Sequence, residues 1–188
     1  MNYWLFQLIN QLADRYDWID DIMEFCAQDI VFAMIAILGI LWFTGKKQNQ
    51  KAVFFAAVTA CAAMLIGSLV ISPAVQHPRP FATHQVHQLV AHAADYSFPS
   101  DHAMLAFSIA FSVLLVKRRI GMLLLVLAVV TGFSRVYVGV HYPADIAGAA
   151  VLSAVAAFAV HLLRDRLDPI PERLIRIYGK ARRLAVRR

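Results

Sequence analysis

Three short polar segments interrupt a largely apolar chain, and each holds residue types suited to phosphate chemistry. The richest runs from Ser134-Arg135 to His141-Tyr142-Pro143-Ala144-Asp145. Pro143 suits the first turn of a helix, which would set Asp145 four residues past His141 and within reach of its ring. A carboxylate accepting from one ring nitrogen fixes the tautomer and raises the basicity of the other, as an imidazole nucleophile requires. A His and an Asp at this spacing also form ordinary structural pairs, so the pair gains meaning from its neighbours. Phe98-Pro99-Ser100-Asp101-His102 reads as a helix start. There the free amides of the first turn and the Ser100 hydroxyl form an anion seat, with His102 close behind. Capping alone explains Ser100 and Asp101; it does not ask for His102. The third segment, His77-Pro78-Arg79-Pro80-Phe81, offers Arg79 beside Pro80, although a lone Arg-Pro equally describes an arginine reaching for lipid headgroups. Two arginines, an amide-rich helix start, two histidines and a carboxylate together make a phosphoryl-transfer constellation. The histidines come without the compact carboxylate cluster that would bind Mg²⁺.

The elements that must bring these segments together are membrane helices. Of 188 residues, 60% are hydrophobic and 16% charged, well below the ~25% charged of a soluble domain. The expected fold is all-α, a polytopic membrane helix bundle in one domain. Charge-free blocks at 30–44, 52–75, 103–116, 120–134 and 146–163 give five candidate spans, of which only 52–75 reaches the usual ~20 residues without borrowing from its flanks. The chain then divides into an outer interfacial segment (1–29), a transmembrane core (30–163) and a basic tail (164–188). Trp4, Leu5, Leu8, Ile9 and Leu12 share one face of an N-terminal interfacial helix. In the tail, Leu174, Ile177, Tyr178, Ala181 and Leu184 recur at helical spacing among basic residues up to Arg188, as expected of a helix on an anionic leaflet. Cys26 and Cys61 lie in or beside apolar stretches and read as buried small side chains.

Alternating spans collect Lys46, Lys47, Lys51, Lys117, Arg118, Arg119 and the nine basic residues after Leu163 on one side, fifteen of the eighteen in the chain. The positive-inside rule makes that side cytoplasmic and puts the N-terminus outside. All three chemical segments then fall on the outer face. Five of the seven histidines lie between residues 77 and 102, and His141 faces the same way.

With Arg79-Pro80, Pro99-Ser100-Asp101-His102 and Ser134-Arg135-x5-His141-x3-Asp145 in this order, the sequence resembles the phosphatidic acid phosphatase type 2 superfamily of membrane phosphatases. Within it, Pro78-Arg79-Pro80-Phe81, Thr131-Gly132-Phe133-Ser134-Arg135 and His141-Tyr142-Pro143 look like the bacitracin-resistance type of undecaprenyl pyrophosphate phosphatase. The resemblance implies that His141 attacks phosphorus and becomes phosphohistidine, that Asp145 orients it, and that His102 protonates the leaving group and later activates water. It implies that Arg79 and Arg135, with Ser100 and nearby amides, hold the phosphoryl oxygens, and Pro80, Asp101 and Ser134 of the same motifs are expected with them in the substrate-binding set. No metal or cofactor is implied. The implied reaction is hydrolysis of undecaprenyl diphosphate to undecaprenyl phosphate and phosphate on the extracytoplasmic face of a bacterial plasma membrane. The expected partners are a polyprenyl diphosphate and membrane lipids, without nucleic acid.

One departure stands out. The superfamily's first motif begins with a lysine seven residues before the arginine, where this chain has Ser72. His77, His84, His87 or His92 could replace that cation by contacting the distal phosphate of a diphosphate; equally, all four could be exposed loop residues. Three other readings stay open on sequence alone. They are a phosphatidate or phosphatidylglycerophosphate phosphatase, a binding or transport protein that holds a lipid diphosphate without cleaving it, and a vanadate haloperoxidase, which the apolar spans disfavour.

Overall fold

The computed structural model describes residues 1–186, with side chains through Lys180. Arg188 of the expected tail helix lies outside the described residues, as do the side chains of Ala181 and Leu184. Eleven α-helices follow one another among the described residues: α1 (Asn2–Asn10), α2 (Asp17–Gln28), α3 (Ile30–Phe43), α4 (Lys47–Ile66), α5 (Ser72–Val75), α6 (Pro80–Thr83), α7 (Asp101–Leu114), α8 (Arg118–Tyr137), α9 (Pro143–Leu162), α10 (Arg164–Leu167) and α11 (Pro169–Val186). A π-helical turn, Gly67–Ile71, joins α4 to α5. Pro73 follows it, and a proline cannot donate the amide hydrogen that would keep the preceding turn α-helical.

Among the described residues, three helices are long and apolar enough to cross a bilayer: Lys47–Val75, α8 and α9. A bend of 49° at Asp29 joins α2 to α3, and that pair makes a fourth span if taken as one. The fifth expected span, α7, has 14 residues, about 21 Å of helix at 1.5 Å per residue. Its flanks do not lengthen it, because Ser100 caps one end and the chain turns into α8 at the other. It is the centre of the bundle, packed on α4, α8 and α9. Ala103, Ala106 and Ala110 are fully buried along it, and such small residues let helix backbones approach where lipid supplies no hydrophobic drive. Gly121 shows how close the approach is: a Cβ there would lie 2.2 Å from the Leu114 Cα. Ser153 of α9 adds polar attachment, accepting from Ser108 at 3.0 Å and donating to the Met104 carbonyl at 3.0 Å. Outward-facing Val126, Val129, Val151, Val155 and Phe158 are exposed, as lipid-facing side chains should be.

This order places the C-terminal ends of α5 and α8 and the N-terminal ends of α7 and α9 at one end of the bundle. The basic loops and the tail are at the other. There Lys51 binds Asp168 at 2.8 Å and Glu172 at 3.0 Å, Lys47 binds Glu172 at 2.8 Å, and Trp42 meets Tyr178 edge to face. The start of the tail is thus docked on α3 and α4, while Ile170, Leu174 and Ile177 stay exposed. Of the two cysteines, Cys26 is half-buried and Cys61 exposed on the outside of α4, so Cys61 is not the buried side chain expected of it.

The N-terminal helix is more than an interfacial float. Trp4, Leu5, Leu8 and Leu12 are exposed, whereas Ile9, expected on the same outward face, packs inward against the neighbouring apolar cluster. Asn10, almost fully buried, ties α1 to two distant segments: its Nδ2 donates to the carbonyls of His87 at 2.7 Å and Tyr137 at 2.9 Å, and its Oδ1 accepts from the His87 amide at 3.0 Å. Phe6 meets Tyr142 edge to face at 5.4 Å, and Asn2 Oδ1 accepts from the Ala144 amide. In this way α1 braces the turn between α8 and α9 from outside.

Candidate active site

That turn, Val138–Tyr142, holds His141. Gly139 makes it possible: its φ of +84° is a left-handed conformation that side chains other than glycine's resist, and a Cβ there would strike the His87 carbonyl at 2.4 Å. Pro143 opens α9 as expected, and Tyr142 is its N-cap. Asp145 accepts from the Tyr142 amide through Oδ2 at 2.8 Å, which locks the carboxylate under the turn. The same Oδ2 lies 3.4 Å from His141 Nδ1, a close approach rather than an aligned hydrogen bond. Both side chains are almost completely buried.

Arg79 closes the other side of the ring. Its Nη1 donates to the Val140 carbonyl at 3.0 Å and lies 3.1 Å from His141 Nε2. A guanidinium only donates, so Nε2 carries the lone pair and the neutral ring carries its hydrogen on Nδ1, facing Asp145. Burial, followed by the charges of Arg135 and Arg79, holds the His141 pKa well below the ordinary histidine value, so the ring is neutral near pH 7.

Arg135, from the last turn of α8, is 1% exposed, and its Nε and Nη2 have no hydrogen-bond partner among the described residues. Unpartnered buried guanidinium donors are expensive unless an anion completes them. The helix start at Ser100 lies against the same group. Ser100 Oγ caps Ala103, and the Ser100 amide donates to the Asp145 carbonyl at 3.4 Å. Phe98 fixes this approach by lying on Gly148 of α9, where a Cβ would come within 2.3 Å of the ring. His102 is half-buried in the first turn of α7. Asp101 is exposed and accepts from Ser68 of the π-helical turn at 3.5 Å.

Two motif residues point elsewhere. Ser134 spends its hydroxyl on the Val130 carbonyl at 2.8 Å and on Met23 of α2 at 3.6 Å, and Pro80 starts the short helix α6. Sequence reasoning missed Asp95, which accepts from Arg79 Nε at 2.6 Å. Its partial burial pushes the carboxyl up, but the bond to Arg79 and the Arg79 charge outweigh this and hold it below the usual aspartate value. The loop histidines separate into two pairs. His84 stacks on Tyr3 at 3.9 Å and the His87 ring approaches Asp14 at 3.5 Å, both contacts belonging to the docking of the N-terminus. His77 hydrogen-bonds Ser97 at 2.9 Å with Asp145 3.8 Å away, and the His92 ring centre is 6.2 Å from that of His141. Among the described residues, no group of three or more His, Cys, Asp or Glu side chains is arranged to hold a metal ion.

Beside Asp101 and His102 an apolar groove of about 180 Å³ opens between α3, α4 and α7, lined by Val31, Phe32, Ile35, Met64 and Leu105. The cluster can bind a phosphate with its guanidinium and amide donors, present a neutral imidazole to phosphorus, and leave room for an apolar group alongside.

Residues 52–168 match the PAP2 superfamily. The chain is 39% identical over 178 residues to undecaprenyl-diphosphatase BcrC of Bacillus subtilis (strain 168), covering 95% of this chain and 92% of that protein. It is 34% identical to the bacitracin transport permease protein BcrC of Bacillus licheniformis, over 96% of this chain and 88% of the relative. The crystal structure of Aquifex aeolicus LpxE has the same fold, with a TM-score of 0.67 and 23% identity over 85% of this chain and 93% of that one. With a profile matched across more than half its length and a relative aligned nearly end to end, this chain belongs to the PAP2 superfamily.

Proposed function

We propose that the protein hydrolyses undecaprenyl diphosphate to undecaprenyl phosphate and inorganic phosphate at the extracytoplasmic face of the membrane, through a phosphohistidine on His141. The observation that carries this reading is the pairing of a buried, neutral His141, backed by Asp145, with the unpartnered buried donors of Arg135. A diphosphate enters with its terminal phosphoryl group against Arg79, Arg135 and the first amides of α7. His141 Nε2 attacks that phosphorus, and undecaprenyl phosphate departs as the phosphorus–bridging-oxygen bond breaks. Asp145 balances the positive charge that develops on the ring. His102 then takes a proton from water, whose oxygen attacks the phosphohistidine and releases phosphate. Positioning and charge stabilisation do most of the work, as is general for phosphoryl transfer.

The lipid substrate is supported by the groove that ends at Asp101 and His102, and by the curated activity of the 39% identical relative. The outward orientation is supported by the basic residues gathered at the opposite end of the bundle. Phosphate release by the detergent-purified protein, measured on undecaprenyl diphosphate and phosphatidate with and without EDTA, tests the reading. Release from the diphosphate that is insensitive to EDTA and abolished in His141→Ala is expected. Better release from phosphatidate would make the protein a general lipid phosphatase, and release from neither would leave a binding protein.

A further inference from the structure

The loop that carries the histidines is folded onto the site rather than spread over the surface. Its two ends are joined by the Ser97 amide donating to the His77 carbonyl at 2.8 Å, and its middle by the Leu89 amide donating to the Val138 carbonyl at 3.2 Å. His92 is thereby held at the rim of the catalytic cluster. Its side chain is 23% exposed, and its ring stands edge-on to His141 at 6.2 Å. It is close enough to interact electrostatically with His141, His102, Arg79 and Arg135. On the solvent side it faces Asp95, whose Oδ1 is 3.8 Å from Nδ1. Nδ1 also lies 3.2 Å from the Ala93 carbonyl, which can only accept. The hydrogen therefore sits on Nδ1, and Nε2 is the edge left for a ligand.

A diphosphate has two anionic groups, and the residues assigned to catalysis serve only the one transferred. We infer that His92 receives the second phosphate, the one that departs with the lipid, and so makes the site selective for diphosphates over monophosphate esters. This inference rests on the phosphatase reading above. The arriving phosphate brings negative charge beside a ring otherwise flanked by arginines, and a proton on Nε2 then makes a charge-assisted hydrogen bond to the departing phosphate oxygen. A monophosphate ester places an uncharged ester oxygen there and gains nothing from the contact.

The test compares kcat/KM of the full-length protein in detergent for farnesyl diphosphate and farnesyl monophosphate, in the wild type, His92→Ala, His92→Gln and the neighbouring His77→Ala. His92→Ala is expected to lose about tenfold to a hundredfold on the diphosphate, the range for one charge-assisted hydrogen bond, with the monophosphate unchanged within twofold. His92→Gln, which keeps a neutral donor, should recover part of the loss, and His77→Ala should not change the ratio of the two substrates. Equal losses on both substrates would show that His92 merely supports the loop and would overturn the inference, as would no loss on either. A wild type that cleaves neither substrate would instead remove the phosphatase reading, and the inference with it.

Discussion

Replacing Asp145 with asparagine isolates what its charge contributes, because the substitute can keep the rest of its structural work. The asparagine oxygen can still accept from the Tyr142 amide, now 2.8 Å from Oδ2, so the cap of α9 and the shape of the turn should survive. What disappears is a negative charge 3.4 Å from His141 Nδ1. On the proposed mechanism the ring becomes a phosphoimidazolium during attack, and at an effective dielectric of about 20 a unit charge pair at that separation interacts by about 5 kcal/mol. Both groups are nearly inaccessible to water, so solvent screening takes little from this figure. At 1.36 kcal/mol per tenfold, kcat should fall by about 10³ to 10⁴ while KM changes little, since the proposed mechanism gives the phosphate to Arg79, Arg135 and the α7 amides. The assay is single-turnover and steady-state phosphate release from undecaprenyl diphosphate, with the thermal midpoint recorded to show that the fold is intact. A variant that folds normally and retains kcat within tenfold of wild type would refute the role given to Asp145, and with it the view that charge develops on His141.

Arg135→Lys keeps the charge but loses the fork of donors, and kcat/KM should fall about tenfold to a hundredfold; a change below threefold would mean that Nε and Nη2 do not meet the phosphate. Asn10→Ala removes three hydrogen bonds and leaves buried backbone groups of His87 and Tyr137 unmet, which should cost about 2–3 kcal/mol of stability, seen as a lower thermal midpoint, and also reduce kcat although Asn10 touches no substrate. The pH dependence follows from the lowered pKa of His141: the ring must be neutral to attack, and burial keeps it neutral as pH falls through the ordinary histidine range near 6.5. The acidic limb of kcat/KM should therefore lie below the ordinary histidine value, and a limb centred at or above about 6.5 would contradict the assignment.

The placement of the proposed catalytic groups was legible because each stands at a helix end that carries its own local signal. Pro99-Ser100 announces the start of α7 and Pro143 the start of α9, and both helices begin there. Asp95 carried no such signal. It lies in an irregular loop, and only the packing of that loop brings it 2.6 Å from Arg79. The four loop histidines were indistinguishable in sequence for the same reason; their division follows from contacts with Tyr3, Asp14, Ser97 and His141 that span up to 81 positions. Span length was misleading for α7, because a helix enclosed by its neighbours need not match the bilayer by itself. Hydrophobic periodicity located α1 but could not reveal Asn10, a polar residue buried by partners 77 and 127 positions away.

Arg79 contacts His141 and Asp95 at once. Its Nη1 occupies the Nε2 lone pair of His141, the same electrons that must reach phosphorus, while Asp95 holds its Nε. On the proposed mechanism, a phosphoryl group approaching Nε2 has to take over that hydrogen bond, so binding the anion and freeing the nucleophile are one event. Arg135 needs no such exchange, since its Nε and Nη2 are already without partners. On that mechanism the two arginines divide the work by these contacts: Arg135 offers the anion donors that have no partner among the described residues, and Arg79 exchanges its bond to His141 for one to the phosphate. On the proposed mechanism the cation that covers the nucleophile thus becomes a ligand of the substrate.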